Sequence, residues 1–385
     1  MIQDPLAIAT VLFGVILLAL MLVERYRWAE KVSAVTLILL FGAVVSNLGL
    51  IPTDAPLYGG MVDLAIPFAV CLILLTVDLR DVRNAGVPMM AAFGIATVGT
   101  VMGVVIAGVV LEPFLGGILG EDSWRIAGPY TGTFIGGSVN FFALWTGLEI
   151  GRPDLLAAAN AVDNLSLIPL ITIWLTVPVF LAGKFPVAPR WQHTEVADET
   201  TDEEAAPSLN ATHVVVLVFV SLVIVAGSGA IKAAVIDRFL PELPSILLVT
   251  TFALALGQMK FMRRFQGAWE LGHIAFYVFF AAVGAMINIY NAIVLSPILF
   301  VYVIIIIAVH MTVIYGSGRL LKMDVGVLTI ASCAAKAGPA LVLGLAQTHK
   351  EWKHLALPGV LMALVGYAIG NYIGFGVAYL MRLLV

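Results

Sequence analysis

Two ionisable side chains interrupt apolar stretches of this sequence: Asp163 in AANAVDNLSLIPL and Lys336 in TIASCAAKAGPALVLGLA. Because a charged group inside a membrane span is costly, each is by default a candidate for function. Asn160 and Asn164 share one helix face with Asp163, since residues three and four apart are neighbours on a helix. We expect Asp163, with these two amides, to hold a coupling ion or proton, or else to anchor a neighbouring segment by hydrogen bonds.

Lys336 is the most unusual residue of the chain. A buried ammonium needs a carboxylate or an anionic ligand beside it, or else it loses its proton. Lys336 could bind a substrate carboxylate, or it could pair with Asp163 where another transporter holds a sodium ion. The structural alternative is a lysine whose ammonium reaches the membrane interface.

Small and polar residues cluster in two weakly apolar segments, GPYTGTFIGGSVNFFALWTG and the stretch around Lys336. Glycines permit a tight reversal of the chain, and the helix start that follows leaves free N–H groups that suit an anion. The simpler alternative is a kinked span packed through small residues. Asn371 takes the place in the last span that Asp163 and Asn164 take in the equivalent earlier span. The residues that we assign to substrate binding are Gly136, Gly137, Ser138, Asn140, Ser332, Lys336, Gly338, Pro339 and Asn371.

The composition indicates an all-α polytopic membrane protein. Hydrophobic residues make up 61% of the 385 residues and charged residues only 11%, whereas soluble domains carry about 25% charged residues. A net charge of −4 argues against a nucleic-acid partner. Cys71 and Cys333 lie in apolar segments, and the six histidines show no metal-binding spacing, so no metal site is predicted. His310 lies within a span, where we expect it to cap a helix, to lie near an interface or to satisfy a buried partner.

The hydropathy pattern repeats once along the chain, as four spans, a weak segment and a final span. The first repeat covers residues 1–184 and the second covers 212–385, with weak segments at about 128–148 and 326–346. Residues 185–211 form a polar linker with six carboxylates between Glu195 and Glu204, a composition typical of solvated segments. The spans lie at about 5–23, 32–50, 60–79, 86–111, 154–182, 212–231, 244–257, 267–287, 292–315 and 356–381.

The basic loops predict the topology, since cytoplasmic loops carry an excess of Lys and Arg. The basic stretches are ERYRWAEK, LRDVRN, QMKFMRRFQG and GRLLKMD. If 128–148 crossed the membrane fully, QMKFMRRFQG would lie outside. A re-entrant hairpin at 128–148 instead keeps every basic stretch and the linker in the cytoplasm, with the N-terminus outside. Five spans and one re-entrant hairpin, twice in opposite orientations, make an inverted-topology repeat, which is typical of secondary transporters.

Three motifs, GTFIGGSVNFFAL, AANAVDNL and LPGVLMALVGYAIGNYIG, resemble the YjcL-like membrane proteins (domain of unknown function 819). The resemblance covers nearly the whole chain outside the linker. It implies the cation/proton antiporter and anion transporter superfamily, with glutamate–sodium symporters and 2-hydroxycarboxylate transporters as distant relatives. It also implies a homodimer in which a mobile part carries both hairpins in an elevator movement past a scaffold part. By motif, the implied site falls on Gly136, Gly137, Ser138, Asn140, Asp163, Asn164, Gly338, Pro339 and Asn371.

The second hairpin departs from the family pattern, because ASCAAKAGPALV carries Lys336 and apolar residues where more polar groups would be expected. This departure leads to the hypothesis that Lys336 replaces a cation, so that transport is coupled to protons or uncoupled.

We therefore expect an elevator-type secondary transporter of a small anionic or zwitterionic organic solute in a bacterial inner membrane. Its partners would be this solute, the lipid bilayer and a second copy of the chain. We expect no cofactor other than Na⁺ or H⁺ as a coupling ion, which could enter together with the solute by symport. An ion channel or exchanger is the alternative. An intramembrane enzyme using Ser332 and Lys336 as nucleophile and base is less favoured, because no oxyanion-hole motif accompanies them.

Overall fold

The computed structural model describes residues 2–27, 29, 34–181, 183, 185 and 210–385. The predicted acidic linker therefore lies almost wholly outside the described residues. The described part contains helices and no strand. The α-helices are α1 (Pro5–Arg25), α2 (Ala34–Asn47), α3 (Pro56–Leu75), α4 (Val87–Leu119), α5 (Asp122–Arg125), α6 (Ala127–Gly136), α7 (Ser138–Gly147), α8 (Pro153–Leu165), α9 (Leu167–Leu181), α10 (Ala211–Ala234), α11 (Ser245–Gly257), α12 (Ala268–Met286), α13 (Ile289–Leu320), α14 (Val325–Thr348) and α15 (Ala356–Leu384).

Nine helical stretches in the described ranges are long and apolar enough to cross a membrane, judged by length and composition. Two further apolar helices, α2 and α11, are shorter, with 14 and 13 residues. The prediction of an all-α polytopic membrane protein is confirmed. The span predicted at 154–182 is one apolar stretch, Pro153–Leu181, in which α8 continues into α9 through Ser166, whose backbone angles are helical (φ −62°, ψ −23°).

Polar residues in the connecting loops define several helix starts. The side chain of Asp4 accepts a hydrogen bond from the first turn of α1, and Asn210 and Asn288 do the same for α10 and α13. Asp324 accepts from two backbone N–H groups of α14. These caps satisfy backbone N–H donors that have no partner within the helix, so they define the residue at which each apolar helix begins.

The first three helices of each half pack together into one group, which we call the first bundle: α1, α2, α3, α10, α11 and α12. In this bundle α3 contacts α10, α11 and α12, while α12 contacts α1, α2 and α3. Glycines allow the closest approach, since a Cβ atom on Gly42 would lie 3.0 Å from the backbone of Gly284.

The other helices, α4–α9 and α13–α15, form the second bundle. Its centre is the pair α4 and α13, where a Cβ atom on Gly103 would lie 2.9 Å from the carbonyl oxygen of Ile306. α15 packs against α6 equally closely, since a Cβ atom on Gly366 would lie 2.1 Å from the carbonyl oxygen of Ile135. Such contacts leave no room for a larger side chain.

The two bundles meet through aromatic rings and a small set of hydrogen bonds. The ring of Phe142 on α7 lies 4.5 Å from that of Phe280 on α12, measured between centroids. Asn371 on α15 donates to Thr250 Oγ1 on α11 at 3.0 Å. This interface separates the elements that carry the candidate site from the first bundle.

Candidate functional site

Helices α6 and α7 fold back on each other at Gly137, which has a φ of 74°. A Cβ atom on Gly132 would lie 2.5 Å from Leu144 Cδ1, and one on Gly128 would lie 2.4 Å from Leu148 Cδ1. Moving four residues back along α6, from Gly132 to Gly128, therefore moves the contact four residues forward in the sequence, from Leu144 to Leu148. A continuous helix would separate residues 12 apart by about 18 Å. The two arms are therefore antiparallel neighbours, and we call them the first hairpin.

Helix α14 contains a similar break at Gly338, which has a φ of 73°. Ile330 Cγ2 and Val342 Cγ1 lie 2.5 and 2.6 Å from the position of a Cβ atom on Gly359 of α15. Two residues 12 apart on a straight helix could not both reach this position. α14 therefore consists of two arms that fold back at Gly338, although its length alone would span a membrane, and we call it the second hairpin.

The breaks of the two hairpins lie side by side. A Cβ atom on Gly137 would lie 3.7 Å from the carbonyl oxygen of Lys336 and 3.6 Å from the ring of Tyr367. One on Gly338 would lie 2.9 Å from Tyr367 Oη. Both glycines have backbone angles that side chains disfavour, so this meeting point on α15 depends on glycine at both positions.

A buried ion pair joins the second hairpin to α8 beside this point. Lys336 Nζ donates to Asp163 Oδ1 at 2.5 Å and to Thr133 Oγ1 at 3.0 Å. Thr133 Oγ1 in turn donates to Asp163 Oδ2 at 3.1 Å. The ring of Phe134 lies beneath the ammonium, with its centroid 4.4 Å from Nζ. The side chains of Lys336 and Asp163 are only 3% and 5% exposed, so the pair is almost fully removed from solvent.

Thr133 was not selected from the sequence. It lies one turn before Gly137 in the first hairpin, among other small and hydroxyl-bearing residues, and no pattern distinguishes it from them. Its hydroxyl fills the gap between the ammonium and the second carboxylate oxygen. The candidate site thus draws one polar group from each of α6, α8 and α14.

The amides beside Asp163 have other partners. Asn164 Nδ2 donates to the backbone oxygen of Asn160 at 2.9 Å and to its side-chain oxygen at 3.2 Å. It also lies 3.5 Å from Thr36 Oγ1 of α2, in the first bundle. Asn160 Nδ2 is buried and has no hydrogen-bond partner among the described residues. The sequence-predicted trio therefore shares a helix face, but its amides turn to each other and to α2 rather than to the carboxylate.

The other predicted site residues lie around the breaks. Asn140 Nδ2 donates to the carbonyl oxygen of Gly366 at 3.0 Å. The Oδ1 atoms of Asn140 and Asn371 are buried without a hydrogen-bond partner in the part of the chain that the structure describes. Ser138 is exposed at the first residue of α7, and Pro339 follows the break in α14. Ser332 lies deeper in the second hairpin, where it contacts Trp174 and His310. A Cβ atom on Gly136 would lie 2.2 Å from the oxygen of Gly366.

Carboxylate and imidazole groups do not gather into a metal site here. Within the described ranges, no group of three or more His, Cys, Asp or Glu side chains is placed to hold a metal ion. The chemistry open to the site is binding, charge pairing and proton transfer at Lys336 and Asp163.

These features define an all-α polytopic membrane protein with two broken helices around a buried ion pair. The chain belongs to the family described as "Protein of unknown function (DUF819)", whose model matches residues 10–384. It is 26% identical over 370 residues to the "Uncharacterized membrane protein YjcL" of Bacillus subtilis (strain 168). That alignment covers 91% of this chain and 90% of the relative. The resemblance expected from the motifs is confirmed.

Proposed function

We propose that the protein is a secondary active transporter of a small anionic or zwitterionic organic solute. The observation that carries the proposal is the meeting of two broken helices beside the buried pair of Lys336 and Asp163. In secondary transporters, discontinuous helices of two repeats form the substrate and ion sites, and their helix starts face the anionic groups of the substrate.

The packing of the helices supports an inverted-topology repeat. The contacts of α3 with α10, α11 and α12 are mirrored by those of α12 with α1, α2 and α3, and α4 pairs with its counterpart α13. We propose that each hairpin is re-entrant and that the halves have opposite orientations. In a bacterial inner membrane, the basic loops would then lie on the cytoplasmic side together with the linker, and the N-terminus would lie outside.

The division into two bundles supports an elevator movement. Both hairpins, the ion pair and α15 belong to the second bundle, so they can move together as one unit. In the proposed mechanism this bundle slides past the first, which supplies the contacts to a second copy of the chain in a homodimer. The aromatic contact of Phe142 and Phe280 lies on the surface that would slide.

The solute class follows from the starts of the second arms. Helix starts carry free N–H groups and a partial positive charge, which favour a carboxylate or a similar anion. α7 begins at the exposed Ser138, and the second arm of α14 begins at Pro339, with Tyr367 between the two breaks. We propose that the solute binds at this point, with Ser138 donating to it.

We further propose that Lys336 takes the place of a coupling cation. Its ammonium already balances the charge of Asp163, so the carboxylate needs no sodium ion for neutrality. Transport would then be coupled to protons through this pair, or uncoupled.

The test begins with a thermal-shift screen of organic acids, amino acids and short peptides against the purified protein, with and without sodium, since a bound ligand stabilises the folded state. The ligand found is then used for uptake and counterflow in proteoliposomes. We expect saturable uptake, counterflow and no requirement for a sodium gradient. Strict sodium dependence would refute the role given to Lys336, and uptake without counterflow would favour the channel alternative.

A further inference from the structure

A second buried polar network lies behind the ion pair and joins five helices. His310 of α13 has Thr100 Oγ1 of α4 at 3.0 Å from Nδ1 and Ser332 Oγ of α14 at 2.9 Å from Nε2. At one end, Trp174 Nε1 of α9 donates to Ser332 Oγ at 3.0 Å. At the other end, Thr100 Oγ1 donates to the carbonyl oxygen of Phe134 at 3.1 Å. His310 is 2% exposed, and Thr100 and Ser332 are fully buried.

The directions of these hydrogen bonds follow from what each group can do. An indole N–H only donates and a backbone carbonyl only accepts. The hydroxyl of Thr100 therefore donates its hydrogen to the carbonyl oxygen of Phe134 and accepts a hydrogen bond from His310 Nδ1–H. A neutral imidazole then accepts at Nε2 from the hydroxyl of Ser332, which accepts from Trp174. Every polar side chain of this network has a partner when His310 is neutral and protonated at Nδ1, and a fully satisfied buried network holds its members rigidly.

Both attachment points of the network lie next to the ion pair. Phe134 follows Thr133 in the first hairpin, and its ring lies beneath the Lys336 ammonium. The break at Gly137 removes the regular helical partner of the last carbonyls of α6, and Thr100 supplies a replacement to Phe134. Ser332 lies one turn before Lys336 on the same arm. The two side chains share a helix face, because they are four residues apart.

We propose that His310 is a positioning residue that fixes the first and second hairpins relative to each other. It acts through Thr100 on the first hairpin and through Ser332 on the second, and so holds Thr133 and Asp163 against Lys336. The consequence for transport rests on the proposed function, whereas the effect on the hairpins does not depend on it.

The test is hydrogen–deuterium exchange, followed by mass spectrometry, on the full-length protein in detergent. His310→Leu keeps the volume of the side chain but removes both hydrogen-bonding atoms. We expect peptides from both hairpins to exchange about tenfold faster or more, because buried polar groups lose their partners. Thr100→Val should accelerate only the first hairpin, and Ser332→Ala only the second. His273→Leu is the matched control, since the hydrogen bond of His273 within the described ranges goes to Trp269 of its own helix.

Two conservative variants test the direction of each bond. His310→Asn retains an N–H near the Nδ1 position and should protect the first hairpin only, whereas His310→Gln retains an acceptor near Nε2 and should protect the second only. Acceleration confined to α13, or equal acceleration in every helix, would overturn the proposal. If His310→Leu does not fold, the Thr100 and Ser332 variants decide, and unchanged exchange in both hairpins would overturn it. No substrate is needed, so a failed transport assay leaves the result interpretable.

Discussion

Replacing Lys336 by Met tests the buried ion pair directly. Met has a similar length and shape, so the change removes the charge and leaves the packing largely in place. Asp163 is then left without its counter-ion, with its side chain 5% exposed and Thr133 as its hydrogen-bond donor. Breaking a buried pair in this way costs about 3–5 kcal/mol, most of it the penalty of an uncompensated charge.

The assay is thermal unfolding in detergent, monitored by intrinsic fluorescence. For a chain of this size we expect Tm to fall by about 4–6 °C. The double variant Lys336→Met with Asp163→Asn should recover most of the loss, because neither charge remains. Lys232→Met is the matched control: Lys232 and Asp237 are also 2.5 Å apart, but their side chains are 26% and 42% exposed. Such surface pairs contribute only about 0–1 kcal/mol.

Sodium extends the same experiment to function. If the ammonium of Lys336 replaces a cation, its removal exposes a carboxylate that sodium can neutralise. Sodium at about 100 times its Kd would add about 2.7 kcal/mol to the stability of the variant and nothing to that of the parent protein. An equal Tm for Lys336→Met and the parent, or equal stabilisation of both by sodium, would refute this reasoning.

Two glycine substitutions test the geometry of the hairpins. Gly338→Ala places a side chain on a residue with a left-handed backbone, against Tyr367, and should lower the free energy of unfolding by about 1–2 kcal/mol. Gly344→Ala on the same helix is the control, because open space surrounds Gly344. Chemical unfolding measures both variants. Gly366→Ala should disrupt the close contact between α15 and α6; overpacking costs about 1–3 kcal/mol, which lowers Tm by about 1–4 °C in a chain of this size. Gly376→Ala is the control, because Gly376 faces open space. An unchanged Tm for Gly366→Ala would contradict this contact.

Several features of the site were visible in the sequence. Asp163 and Lys336 stand out because a charge in an apolar run is costly wherever the chain folds. The segments at 128–148 and 326–346 stand out because glycine and polar residues weaken a membrane span. That these segments enter and leave on one side of the membrane stays a prediction, which the basic loops and the fold-back of both hairpins at Gly137 and Gly338 support.

Other features could not be read from the sequence. The sequence predicts a break in the segment around Lys336, but its position at Gly338, two residues after Lys336, depends on a positive φ that composition does not reveal. Asn160 and Asn164 share a face with Asp163, as the spacing predicts, yet their hydrogen bonds do not go to the carboxylate. The helix face alone does not decide partners, because Thr36 of another bundle lies within reach of Asn164.

The sequence by itself determined the class of protein, the helical segments and the two unusual charges, because burial in a bilayer acts on each residue according to its own polarity. Only the tertiary structure decided that Asp163 and Lys336, 173 residues apart, pair through Thr133. It also decided that the two breaks meet at Tyr367 and that His310 links both hairpins. Such pairings depend on how helices from two halves pack, and close packing through glycines is a property of facing surfaces rather than of any single stretch.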